Sequence, residues 1–119
     1  MGKFKDALKS EIASYDDTEW KGKLGTHDVV LSSKPLTPMD MTQISRKHPN
    51  FAQAPSLEGM VDLLILKSRD ANDSTAFDKT DKPLLMRCGT SKIGDIFSGL
   101  FGDQMDEYTE EDLDDAVKN

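Results

Sequence analysis

The chain has 119 residues, 36% of them hydrophobic and 31% charged, enough for one domain with a modest core in which roughly two-thirds of the unfolded surface is buried. Its net charge of −7 sits at one end: residues 1–102 hold 14 basic and 14 acidic side chains, while residues 103–119 hold eight acidic groups and one lysine. There is no basic stripe for nucleic acid, no run of about 18 apolar residues for a bilayer, and with Cys88 as the single cysteine no internal disulfide.

The N-terminus is charged and carries no apolar signal segment, and Asp6 and Ala7 stand where a myristoylation site wants a hydroxyl. These features place the expected protein in the cytosol. Phe4, Leu8, Ile12 and Tyr15 follow helical spacing and predict a helix over 2–15 with one apolar stripe. Alone in water such a helix is marginal, so it is expected to cover the core; a swapped or oligomerising arm is the alternative. Gly22, Gly25 and Thr26 between strand formers Trp20 and Val29–Leu31 predict a hairpin near 18–34. Thr37, Pro38 and Asp40 form a helix start with a capping box, Leu36 and Met41 form its hydrophobic staple, and Pro49 ends the helix after Lys47.

Residues 57–66, LEGMVDLLIL, are the densest apolar stretch, capped by Ser56. A helix that is apolar on nearly every face has to be surrounded by other elements, so the expected fold is mainly α with a small β-hairpin (α+β), four to five short helices around this central one. A polar loop over 70–76 leads to a helix around 80–88, stopped by Gly89. Ile93, Ile96, Phe97, Leu100 and Phe101 mark the clearest amphipathic helix, which contains Gly94 and Gly99; each glycine either admits a close neighbour or eases bending. The domain is expected to close at 102. The acidic tail, 103–119, is expected to be partly disordered, with a short helix at 109–117.

No catalytic, cofactor-binding or metal constellation assembles from the sequence. Asp70, Asn72, Ser74, Asp78 and Asp81 fit five positions of a calcium-loop template, but Thr75 replaces its turn glycine and Asp81 its bidentate glutamate. His27, His48 and Cys88 show no zinc-ligand spacing, and Cys88 reads as a small buried hydrophobe. The chain is therefore expected not to be an enzyme.

Taken together, residues 60–66 (MVDLLIL), 70–77 (DANDSTAF), 78–85 (DKTDKPLL) and 93–101, with 19–22 (EWKG), 29–34 and 35–40 (PLTPMD) upstream, resemble the tail assembly chaperones of long-tailed, lambda-like bacteriophages. The resemblance covers residues 18–101 and departs from the family pattern at Thr75, where the family turn often has glycine, and at Pro83. It implies a protein of the host cell cytoplasm that binds the tape measure protein, keeps it soluble, and gathers tail tube protein around it through a longer product of ribosomal frameshifting. The family implies self-association into a homo-oligomer and absence from the mature virion. The terminal Val117, Lys118 and Asn119 are compatible with a slippery A-AAA-AAC in the gene. On this reading Met39, Met41, Ile93, Phe97, Leu100 and Phe101 are the expected contacts for a partner or a second copy, and Phe97→Asp with Phe101→Asp is expected to abolish binding in a folded monomer. An acidic adaptor, or nucleic-acid mimic, acting through the C-terminal tail is the competing expectation.

Overall fold

Thr37 begins the best-specified helix. Its hydroxyl accepts the Asp40 amide at 3.1 Å while the Asp40 carboxylate accepts the Thr37 amide at 3.0 Å, so two amides that the first turn leaves without helical partners are both satisfied. This helix is part of a computed structural model that describes the backbone of residues 2–118 and the side chains of residues 2–106. The elements run α1 (Gly2–Ser14), β1 (Thr18–Leu24), β2 (His27–Ser33), α2 (Pro38–Lys47), α3 (Leu57–Lys67), a 3-10 turn (Lys79–Asp81), α4 (Lys82–Leu85) and α5 (Thr90–Lys118). The fold is α+β and mainly helical, as the sequence predicts.

The two strands pair antiparallel, with Trp20 opposite Leu31. Gly25, at φ 64°, supplies the left-handed residue of the tight turn. Alternation turns Trp20, Leu31 and Ser33 inward, while Lys21 pairs with Glu19 and Lys23 with Asp28 on the exposed side. Arg69 adds a single bridge to the hairpin, exchanging backbone hydrogen bonds of 2.8 and 2.9 Å with Ser32. The loop after α3 is thereby tied to the sheet edge.

The main core joins Trp20 and Leu31 to Met41 and Ile44 of α2, Phe51 and Ala52, Leu63 and Leu64 of α3, and Ile96, Phe97, Leu100, Phe101 and Met105 of α5. A smaller cluster of Val61, Leu85 and Ile93 joins α3, α4 and the start of α5. Rings of Phe51, Phe97 and Phe101 run through the main core, with centroids 6.0 and 5.5 Å apart and an edge-on arrangement in the first pair. Helix α5 continues past residue 102, and Met105 is buried in the same core. The side chain of Gln104 accepts the Leu36 amide at 2.6 Å. The tail beyond Asp106 has its side chains outside the described residues.

The two glycines of α5 differ. A Cβ on Gly99 would lie 2.7 Å from the Trp20 ring, whereas a Cβ on Gly94 would meet open space. Gly99→Ala is therefore expected to destabilise the fold by about 1–3 kcal/mol through overpacking, and Gly94→Ala to stabilise it by up to about 1 kcal/mol through helix propensity. Urea unfolding of the two variants should show midpoints displaced in opposite directions.

Four local expectations are corrected. The helix predicted around 80–88 is broken into a 3-10 turn and the one-turn α4, since Pro83 and the Asp78 cap favour a start in this short stretch and little room for elongation. Cys88 is exposed rather than buried, its thiol facing the Leu84 carbonyl at 3.6 Å. Helix α3 is central but not covered all round: Leu57 and Leu66 are exposed. Helix α1 covers no core at all and has no buried residue.

Candidate interaction surface

Two apolar surfaces remain uncovered. The first is α1. Phe4, Leu8 and Ile12 are 77%, 64% and 67% exposed, so the stripe seen in the sequence is present and unpartnered. The helix is tethered at its end, where the Lys34 ammonium meets the Asp17 carboxylate at 2.9 Å and donates to the Tyr15 carbonyl at 3.2 Å. Helix α1 therefore leaves the domain from the edge of the hairpin.

The second is a groove of about 600 Å³ between α2, α3 and the 3-10 turn. Its apolar walls are Ile44, Ile65, Leu66 and Phe77, and Lys47, Lys79 and Lys82 stand around it. This is the side of α3 that the other described residues leave open. Asp78, also at the groove, is occupied by its own backbone: its carboxylate accepts the Thr80 amide and hydroxyl and starts the 3-10 turn. These hydrogen bonds hold its carboxyl below the usual carboxylate range.

One wall of the groove rests on a charged network. Asp62 projects from the middle of α3 and meets His48 Nε2 at 2.8 Å and Lys82 Nζ at 2.9 Å, and Lys82 also reaches Glu58 at 3.4 Å. Burial opposes ionisation of Asp62, but the hydrogen bonds from His48 and Lys82 and the charges of Lys82 and Lys47 outweigh it, so its carboxyl lies below its ordinary range. The hydrogen bond to Asp62 in turn raises Lys82, against a smaller opposing effect of burial. The network ties the C-cap of α2 and the start of α4 to α3. A second pair, Lys67 with Asp40 at 2.8 Å, clamps the end of α3 to the start of α2.

Of the residues expected to contact a partner, Met41, Ile93, Phe97, Leu100 and Phe101 are buried, and of the six Met39 alone is exposed. Their burial has a simple cause. Spacing identifies the apolar face of α5 but not what covers it, and here α3 and the hairpin do. Among the described residues no group of three or more His, Cys, Asp or Glu is placed to hold a metal ion. In the loop that resembles a calcium site, the Asp70 carboxylate accepts the amides of Asn72 and Ser74, which is the geometry of a self-capped turn.

The comparisons add no relative. No protein-family model, no curated protein and no solved structure matches the chain. No helix among the described residues is long and apolar enough to cross a membrane.

The groove was missed in the sequence because its residues come from four segments that only the fold brings together. One signal was available: beyond Glu58 in the first turn, Asp62 is the one charged residue of the apolar stretch 59–66, and such a residue needs a partner when buried.

Proposed function

We propose that the protein is a polypeptide-binding assembly factor, a phage tail assembly chaperone that holds apolar helical segments of the tape measure protein in the host cytoplasm and does no covalent chemistry. On this reading tail tube protein is gathered by a longer frameshifted product, and the protein is absent from the mature virion. The observation that carries the reading is the uncovered stripe of α1: Phe4, Leu8 and Ile12 present a helical apolar face on a tethered arm while the domain behind it is already packed. A helix with one apolar stripe can dock against a matching stripe on another helix. The resemblance over residues 18–101 suggests the tape measure protein as the source of that helix, and the exposure of Phe4, Leu8 and Ile12, against the burial of Phe97 and Phe101, favours α1 over α5 as the contact.

The test is co-expression with the tape measure protein that this reading requires in the same genome. The wild-type chain is expected to keep that protein in the soluble fraction. Phe4→Asp with Leu8→Asp is expected to leave it in the pellet while the thermal melting of the chain itself is unchanged, because neither side chain is buried. Unchanged solubility with the double variant would overturn the reading. The segregation of acidic charge beyond residue 102 favours a second reading, an adaptor that occupies a basic protein site. Removing residues 107–119, which spares Met105, should then abolish partner binding, whereas a chaperone working through α1 should retain it.

A further inference from the structure

We infer that the groove between α2, α3 and the 3-10 turn seats the acidic C-terminal segment, residues 107–118, of a second copy of this chain. The groove presents Ile65 and Leu66 from the open side of α3, a helix whose composition demands cover, and Phe77 from the loop that follows. Its rim is cationic. Among the described residues Lys47 and Lys79 form no ion pair, and the carboxylates nearby are already committed, Asp62 to His48 and Lys82 and Asp78 to its cap. A fitting occupant has a few apolar groups and an excess of carboxylates.

The chain contains one such segment. Residues 107–118 hold six acidic side chains and one lysine, together with Tyr108, Leu113 and Val117. Helix α1 is the other uncovered element, but it carries Lys3, Lys5 and Lys9 against Asp6 and Glu11 and would bring like charge to the lysine rim. Charge complementarity thus selects the C-terminal segment. Its position selects a second copy. Helix α5 is continuous to Lys118 and, among the described residues, its last buried side chain is Met105, so the helix axis runs on roughly 20 Å beyond Met105 at 1.5 Å per residue. No described residue of α5 lines the groove, and reaching its own groove would require the helix to break. The contact joins two different surfaces, so it is heterologous and propagates unless the rotation between copies closes it. It does not rest on tape measure binding, since the chain alone forms it.

The experiment is sedimentation of full-length chains at increasing concentration. One variant reverses the groove, Lys47→Glu with Lys79→Glu. The other reverses the segment, Glu110→Lys, Glu111→Lys and Asp114→Lys. Wild type is expected to associate, and less so at high salt. Each variant alone is expected to associate about tenfold or more weakly, because like charges then face each other. Mixing the two restores opposite charges and should restore association. Thermal melting establishes that the groove variant is folded, and the segment variant leaves every described core residue untouched. A wild-type chain that stays monomeric, or a segment variant that associates as tightly as wild type, overturns the proposal. So does a mixture of folded variants that fails to associate.

Discussion

Replacing Phe101 by alanine is expected to cost about 3–5 kcal/mol of folding stability, the range for removing a fully buried phenylalanine. Phe101 is 0% exposed and its ring lies 5.5 Å from that of Phe97, which meets Phe51 edge-on. Removing it opens a cavity in the main core, which Phe101 shares with Phe97, Leu63 and Leu64. A domain of this size has about 5–15 kcal/mol to lose. Phe97→Asp combined with Phe101→Asp adds buried, unpaired charge to the cavity and is expected to prevent folding altogether, in place of the folded, binding-deficient monomer that the spacing of α5 first implied. Urea unfolding followed by circular dichroism measures the first variant, and loss of the helical signal without denaturant identifies the second. If Phe101→Ala moved the midpoint by less than that of a surface substitution, α5 would not be seated in the core as described. The same measurement on Phe4→Asp with Leu8→Asp should show a change within about 0.5 kcal/mol.

That contrast marks where the sequence is informative. Local chemistry was legible. Thr37, Pro38 and Asp40 announce the start of α2, Ser56 caps α3 through the Gly59 amide, and Gly25 makes the hairpin turn, because caps and turns are decided by neighbours within four residues. The apolar faces of α1 and α5 were equally legible as faces. Their fates were not, since Phe4 and Phe101 have similar helical spacing and opposite burial. Burial depends on what the chain places opposite a face, and that is set by the connections. The three linker residues 15–17 between α1 and β1, anchored by Asp17 on Lys34, carry α1 away from the core, whereas α5 crosses the hairpin where Gly99 lets it approach Trp20. The groove was hidden for the same reason. Ile44, Asp62, Phe77 and Lys82 are adjacent only after α2, α3 and α4 have assembled.

Asp62→Ala is expected to cost about 2–3 kcal/mol, since it removes two charge-assisted hydrogen bonds in a largely buried setting, takes the acceptor from the His48 ring and leaves the Lys82 ammonium with Glu58 at 3.4 Å alone. Asp62→Asn keeps the shape and separates charge from packing. The pH dependence follows from the direction of the Asp62 shift. Its folded carboxyl titrates below its ordinary value, so the folded state binds fewer protons there than the unfolded state. The stabilisation is complete above the unfolded value of about 3.9 and is lost as pH falls through the lower folded value. Lys82 has the opposite sign: its raised folded value stabilises the chain below about 10.4 and fails as pH rises through it. The melting temperature of wild type should therefore exceed that of Asp62→Asn at about pH 5, above the unfolded carboxylate value, and the margin should shrink on further acidification. A margin that stays constant into the acid limb would mean that the carboxylate charge contributes nothing, and that Asp62 holds α2 and α4 against α3 by shape alone.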